Sequence, residues 1–203
     1  MFFVILGAPG SGKGTRSDIL KEKLKIAHIS TGSMIRENKS VYEKYKDKID
    51  NGHLLSDDII NEMLEERLRQ DDIQNGCILD GYPRTIEQAY NLDKILERVG
   101  KGIDKVFLLD ADIDTIYSRI LSRVVCPKCL KIYNKKYAEE NNNKCLECGS
   151  ELVVRTDDNS DTLKNRIDVY YKNIDKIKEY YQNRGLLEII DALEDPHKIL
   201  ERM

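Results

Sequence analysis

Two rhythms of apolar residues alternate along the chain. Short apolar runs at Phe2–Leu6, Ala27–Ser30, Cys77–Leu79, Val106–Leu109 and Leu186–Ile190 read as strands. Between them the apolar residues recur every three or four positions, as on one side of a helix. Ile19, Leu20 and Leu24 mark a helix over Lys13–Leu24. Ile59, Ile60, Met63, Leu64 and Leu68 mark a second, opened by Ser56-Asp57-Asp58 and closed at Asn75-Gly76. A third carries Ile86, Ala89, Leu92, Ile95, Leu96 and Val99 up to Gly100, and a fourth spans Ile113–Val124. A long one follows, with Leu163, Ile167, Tyr170, Tyr171, Ile174, Ile177 and Tyr181, ending near Gly185; Pro196 opens a short last helix. Glu37–Asp50 is polar and reads as an exposed helix, while Cys126–Ser150 has no helical period and reads as an insert.

Strands that alternate with helices predict an α/β fold: a five-stranded parallel sheet covered by helices on both faces. Ligands of such sheets sit at the carboxyl ends of the strands. The segments after the strands, Gly7–Thr15, Thr31, Asp80–Arg84 and Asp110, are therefore expected on one rim. The first of these is rich in meaning. Gly7-Ala8-Pro9-Gly10-Ser11-Gly12-Lys13-Gly14-Thr15 joins a strand to a helix, and its glycines let several backbone N–H groups turn toward one anion. Lys13 adds a full charge, so the phosphate chain of a nucleotide is the expected ligand and a P-loop NTPase type of sheet the expected frame. Gly14 stands where Ser or Thr is usual, and the nearest hydroxyl is Thr15.

Composition narrows the partners. The chain has 203 residues, 40% hydrophobic and 34% charged, with a net charge of −3, which suits one main domain with an inserted module and no broad attraction to nucleic acid or a membrane surface. The apolar start is too short for a signal peptide or a membrane span, so a cytoplasmic protein acting on small molecules is expected; a monomer is expected too. Cys126-Pro127-Lys128-Cys129 and Cys145-Leu146-Glu147-Cys148 are two C-x-x-C knuckles whose spacing suits tetrahedral Zn²⁺ on four thiolates, with disulfides, iron or an empty site as the alternatives. Four sulfur ligands leave no open position, so the metal would be structural. The lysines of the insert are offset by Glu139, Glu140, Glu147 and Glu151, and a nucleic-acid footprint is not evident. Cys77 lies in a strand and carries no chemistry.

Phosphoryl transfer depends on charge neutralisation and alignment, so arginines near a phosphate loop matter. Arg36, Arg84, Arg119, Arg123, Arg155 and Arg166 are the candidates, with Arg119 and Arg123 one helical turn apart on a face toward the insert; Arg16, Arg67, Arg69 and Arg98 read as solvated surface.

Together, Gly7–Thr15, Ser30-Thr31-Gly32 with Met34 and Arg36, Asp80-Gly81-Tyr82-Pro83-Arg84-Thr85 with Gln88, Arg119 and Arg123, and Arg155 with Asp157, Asp158 and Arg166 resemble the adenylate kinase family, from residue 1 to about residue 191 in order and spacing. The resemblance includes the zinc-bearing lid of some bacterial members. It implies reversible phosphoryl transfer from Mg-ATP to AMP, giving two ADP, with Mg²⁺ and structural Zn²⁺ as cofactors. It implies a core of residues 1–29, 56–121 and 160–203, a monophosphate-binding arm of 30–55 and a lid of 122–159. Gly10, Ser11, Gly12, Lys13, Gly14 and Thr15 would hold the ATP phosphates, with Arg119, Arg123, Ile132, Tyr133 and the backbone near Glu194 also touching ATP. Thr31, Arg36, His53, Leu54, Leu55, Gly81, Tyr82, Pro83, Arg84 and Gln88, with Arg155 and Arg166, would form the AMP site, Gln88 reading the adenine edge. Arg155 and Arg166 would close on the transferring group, and Lys13, Arg84, Arg123, Arg155 and Arg166 would be catalytic. Asp80 would orient water on Mg²⁺, and hinges near Val124 and Asp157 would carry the lid. Two departures stand out: Ser33 replaces a common Asp, and the stretch from Arg36 to Gly52 is short. A kinase for another nucleoside monophosphate, or a nucleotide-gated zinc-ribbon binding module, are the competing readings.

Overall fold

The protein is described by a computed structural model that covers residues 1–203. Five parallel strands, β1 (Phe2–Gly7), β2 (Ala27–Ser30), β3 (Cys77–Asp80), β4 (Lys105–Asp110) and β7 (Leu187–Asp191), form one sheet in the order β2-β3-β1-β4-β7. The expected five-stranded sheet is thus present, with β1 at its centre. Side chains of a strand point alternately to its two faces, and the core divides accordingly. Phe2, Val4 and Leu6 of β1 join a large cluster with Leu79, Val106 and Leu108, whereas Phe3 and Ile5 join Ile78, Phe107 and Leu109 on the other face. Burying a side chain of this size contributes roughly 1.5–3 kcal/mol.

The helices cover both faces. They are α1 (Lys13–Leu24), α2 (Thr31–Glu37), α3 (Lys39–Asp50), α4 (Asp57–Leu68), α5 (Ile86–Arg98), α6 (Ile113–Leu121) and α8 (Ser160–Asn183). Leu20 of α1 is fully buried, with Ile19 and Leu24 packed beside the same cluster, as their spacing predicts. Ile174, Ile177 and Tyr181 of α8 enter the opposite cluster. Thr85 caps α5 by accepting the Gln88 N–H at 3.1 Å.

Three elements differ from expectation, each for a local reason. The helix expected to run to Asn75-Gly76 stops at Leu68, because the next positions of its apolar stripe are Asp71 and Asp72; Asp72 instead takes Arg67 at 2.7 Å, and Ile73 enters the core from a 3₁₀ turn. The polar helix expected over Glu37–Asp50 is present as α3 from Lys39, capped by Asn38, whose side chain accepts the Val41 N–H, and Thr31–Glu37 before it forms a helix, α2, that was not expected. No α3 residue is fully buried, as expected, although Val41, Tyr45 and Ile49 rest against the core.

The third difference changes the site. The helix expected over Ile113–Val124 ends at Leu121, and Arg123–Val125 forms a strand, β5, antiparallel to β6 (Ile132–Asn134). Val124 and Val125 are β-branched and suit a strand. Val124 packs with Cys126, Ala138, Cys145 and Leu152 in a small cluster of its own. Arg119 and Arg123 therefore do not share a helical face. The insert also holds one short helix, α7 (Lys135–Glu140), capped by Asn134, where none was expected. The last helix is a 3₁₀ turn, Pro196–Arg202, begun at Pro196 as expected.

Candidate active site

The carboxyl ends of β1, β2, β3 and β4 bring their loops to one rim, as the topology requires. The Gly7–Thr15 loop stands at its centre. Gly10 has φ +77°, and a Cβ there would sit 3.1 Å from the Ile116 carbonyl; Gly12 caps α1 at φ +92°. Both positions need glycine, for dihedrals and for space. Lys13 folds back onto the loop and donates to the Gly7 and Ala8 carbonyls, each at 2.9 Å. Burial lowers its pKa to about 8, with Asp80 opposing and Arg84, Arg166 and Arg123 adding to the fall.

On the β2–β3 side, buried Thr31 donates to the Gly81 carbonyl at 2.9 Å. Gln88 is 2% exposed, donates to Asp57 at 2.7 Å and accepts the Arg84 N–H at 2.7 Å. Thr31, Arg36, His53, Leu54, Leu55, Gly81, Arg84 and Gln88 line one cavity, and Pro83 lines the adjoining one with Gly7, Lys13 and Arg166. Tyr82 lies in neither: it is fully buried, and its hydroxyl donates to Asn61 at 2.7 Å and bonds the Gln88 carbonyl at 3.1 Å. It anchors this loop rather than facing the cleft. Asp57, which holds Gln88 and Thr85, was legible only as a helix-start acid.

On the β4–β7 side, Arg119 reaches the Ser11 carbonyl at 3.3 Å and the Ala192 carbonyl at 3.0 Å. Arg16 contradicts its reading as solvated surface. It is 1% exposed, and its Nη2 donates to the carbonyls of Asp191, Ala192 and Glu194 at 3.4, 3.4 and 3.0 Å. Its place directly after Thr15, on the inner side of α1, was the available signal. The Glu194 side chain turns to Arg202, 3.1 Å away.

Above the rim, two buried carboxylates gather four arginines from three segments. Asp157 meets Arg36 at 3.0 Å, Arg166 at 3.5 Å and Arg155 through a 2.8 Å hydrogen bond. Asp158, with no side-chain exposure, accepts from Arg123 at 2.6 Å and stands 3.5 Å from Arg166. Burial alone would raise the Asp157 pKa, but Arg155, Arg166 and Arg123 hold it below the ordinary range. Burial lowers Arg166 to about 10.

Asp80 faces the loop from β3, and a Cβ on Gly14 would lie 3.8 Å from its Oδ2. His28, which sequence reasoning passed over, stands between Asp80 (3.4 Å) and Asp18 (3.3 Å). The Asp18 contact is a hydrogen bond, whereas the Asp80 contact is at ion-pair distance without hydrogen-bond alignment. Burial would lower its pKa, yet the two carboxylates override this and hold it at about 9.

The sulfurs of Cys126, Cys129, Cys145 and Cys148 all lie within 4.8 Å of one another, and none is in a disulfide. Tetrahedral Zn–S bonds of about 2.3 Å place sulfurs about 3.8 Å apart, so the set fits a metal of that kind. Tyr133 of β6 turns inward to this cluster. Its hydroxyl accepts the Leu146 N–H at 3.2 Å and stands 3.3 Å from the Cys145 sulfur, while Ile132 is half-exposed beside it. No helix is long and apolar enough to cross a membrane.

Residues 5–186 match the sequence model of the family described as Adenylate kinase. The chain is 40% identical to an adenylate kinase of Pseudothermotoga lettingae over 99% of its own length and 95% of the relative's. It is 41% identical to one of Lactobacillus helveticus (98% and 94% of the two chains) and 38% identical to one of Caldicellulosiruptor bescii (96% and 93%). A glycine loop with its lysine, a cleft on either side of it and arginines converging from above agree with these matches along nearly the whole chain: it belongs to the adenylate kinase family, the nucleoside monophosphate kinases that convert ATP and AMP into two ADP.

Proposed function

We propose that the two halves of the cleft divide the two nucleotides between them, with the glycine loop under the phosphates that pass from one to the other. One observation carries this assignment. Of the twelve arginines, Arg16, Arg84 and Arg119 have no carboxylate at ion-pair distance, and Arg84 and Arg119 flank the loop of Lys13, one on each side. Cations left without an acid around a loop built for anions are expected to bind phosphate.

In this reading the acceptor AMP lies on the β2–β3 side, over Thr31, Gly81, Arg84 and Gln88, and Gln88 still has an N–H and a lone pair free for a base edge. The donor lies on Gly10–Thr15 and runs toward Arg119. No general base is needed, because the phosphate oxygen of AMP is ionised at neutral pH. The rate comes from in-line alignment and from the field of Lys13 and the arginines. Arg36, Arg123, Arg155 and Arg166 begin the cycle on Asp157 and Asp158 and move to substrate phosphates as the upper side closes, which excludes water as a competing acceptor. When bound, Mg²⁺ neutralises part of the triphosphate charge, and Asp80, whose carboxylate faces Gly14, would hold its water shell. The four cysteines would hold Zn²⁺ as a structural ion that stiffens the 122–159 lid. None of the five cysteines is in a disulfide, which suits a cytoplasmic protein.

Coupled assay of AMP-dependent ADP formation tests the reaction. A mimic joining two adenosines through five phosphates is expected to bind with one molecule per chain and to displace both substrates. Displacement of ATP alone would overturn the two-sided assignment.

A further inference from the structure

The polar helix α3 ends against α8, and its last carbonyls depend on that contact. Carbonyls in the final turn of a helix have no partner within it. Gly52, at φ +77°, turns the chain so that the His53 N–H reaches the Lys48 carbonyl at 2.9 Å and its own N–H reaches the Ile49 carbonyl at 3.0 Å. The carbonyls of Asp50 and Asn51 are left over. Both are met from α8: the Thr162 hydroxyl donates to the Asp50 carbonyl at 2.9 Å, and the Asn165 side-chain amide donates to the Asn51 carbonyl at 3.2 Å.

Thr162 is buried, its own N–H is capped by Asn159 at 2.9 Å, and it lies one helical turn from Asn165 and Arg166 on the same side of α8. A Cβ on Gly52 would come within 2.7 Å of the Arg166 side chain and 2.8 Å of the Thr162 carbonyl. The backbone at the end of α3 therefore rests directly on α8. The residues that follow, His53, Leu54 and Leu55, line the cavity shared by Thr31, Arg84 and Gln88. At the other end of this stretch Arg36 of α2 meets Asp157, just before α8, at 3.0 Å. Both ends thus bear on α8 and the turn that leads into it. Neither Thr162 nor Asn165 lines either cavity of the cleft, so any effect they have on a nucleotide passes through the backbone of Asp50–Gly52.

We propose, resting on the placement of AMP on the β2–β3 side, that Thr162 and Asn165 are positioning residues for the acceptor nucleotide. By closing the end of α3 they fix His53–Leu55 before AMP arrives, and a wall already in place spares the nucleotide the cost of ordering it. The donor lies on the other side of the central loop, so its binding is independent of them. Losing one such hydrogen bond shifts an equilibrium by up to about tenfold.

The test compares Thr162→Val, which keeps the shape and removes the donor, with Thr162→Ser, which keeps the donor, in the coupled assay. Thr162→Val is expected to raise the KM for AMP about five- to tenfold, with the KM for ATP and kcat changed less than about twofold. Thr162→Ser is expected to stay within about twofold of the parent in all three. Asn165→Ala, which removes the longer and more exposed of the two bonds, is expected to raise the KM for AMP about two- to threefold. An unchanged KM for AMP in Thr162→Val, or an equal rise in both KM values, overturns the proposal. A contact that serves only the fold would lower the thermal midpoint and leave the ratio of the two KM values alone, which also overturns it. Should Thr162→Val fail to fold, Asn165→Ala decides alone, and an unchanged KM for AMP in that variant overturns the proposal. Gln88→Ala separates this failure from that of the reading beneath it. If Gln88→Ala leaves the KM for AMP unchanged, the acceptor does not lie on this side; if it raises that KM while Thr162→Val does not, only the positioning role falls.

Discussion

The floor of the cleft and the jaw above it carry similar numbers of cations but hold them in opposite ways. On the floor, Arg84 and Arg119 have no acid at ion-pair distance, and Lys13 donates only to carbonyls. In the jaw and arm, Arg36, Arg123, Arg155 and Arg166 are gathered on Asp157 and Asp158. The floor is built on a rigid sheet, where an unpaired charge costs little motion to keep in place, and it waits for its anion. Arg36, Arg123 and Arg155 stand on segments outside the sheet, with Arg166 facing them from α8, and unpaired arginines there would repel one another. Two aspartates keep the four arginines assembled. Preorganisation and mobility thus call for different partners for the same guanidinium group.

Lys13→Ala breaks the floor side of this contrast. Loss of the one ammonium in the glycine loop is expected to lower kcat/KM by at least about 10³-fold in the coupled assay, since its charge acts where the transferred group becomes most negative. Because Lys13 has no acid partner to strand, its removal should leave the thermal midpoint unchanged or slightly higher. A clear fall in stability would show that the floor, too, is held together by its cations.

Asp158→Asn should do the reverse. Its side chain is wholly buried against Arg123 and Arg166, and breaking a buried charge pair by removing one partner costs about 3–5 kcal/mol; the retained amide and the cleft's access to water bring the expectation to about 2–3 kcal/mol. The five-phosphate mimic, or inorganic tripolyphosphate, should restore most of that loss by replacing the missing negative charge. A variant as stable as the parent sinks the idea that the jaw depends on its aspartates. Asp157 adds a pH signature. Its folded-state pKa lies below the ordinary value of 3.8, so its stabilisation is complete above that value and disappears as pH falls through the depressed one.

The floor also has one acid, Asp80, and His28 stands 3.4 Å from it. The His28 pKa is raised to about 9, above the ordinary 6.5, so its contribution is complete below about 6.5 and is lost as pH rises through about 9. Stability should therefore decline by about 1–3 kcal/mol across that window, and His28→Gln should flatten the decline. Equal pH profiles for parent and variant would remove His28 from the account.

Much of this was legible in the sequence where chemistry and periodicity coincide. Strand alternation predicts the sheet that is found, and Gly7–Thr15 reads as a phosphate loop because a glycine-rich turn between strand and helix has few other uses. Arg123 was misplaced on a helix because Leu121 to Val124 fit a helical period as well as they fit a strand, and only packing with Cys126 and Leu152 decides between them. Arg16 and His28 were missed for a related reason. A single polar residue in an amphipathic element shows nothing of the side it faces, and only the fold reveals that Arg16 points under the loop and His28 between two carboxylates. Tyr82 sat in a recognisable motif, yet its side chain serves the core.

The smallest predicted effect tests whether the jaw moves as one stiff piece. Tyr133 lies on β6, and its hydroxyl is oriented by the Leu146 N–H so that its own hydrogen can go to the Cys145 sulfur; its ring is stacked on Tyr137 with centroids 4.6 Å apart. A hydrogen bond of this kind stabilises a metal-bound thiolate and fixes its direction, and removing such a partner commonly weakens metal binding by about 10- to 100-fold. Tyr133→Phe preserves the stacked ring and deletes only the donor. Zinc affinity, measured by competition with a chromophoric chelator, should fall by about tenfold at constant secondary structure, with kcat changed less than twofold. If the affinity holds while the Cys129→Ser variant loses zinc, the hydroxyl is a bystander and the stiffness of the jaw comes from the four sulfurs alone. If kcat falls in step with affinity, the metal does more than stiffen, and the division between a charged floor that performs the transfer and a jaw that carries its arginines into place would have to be redrawn.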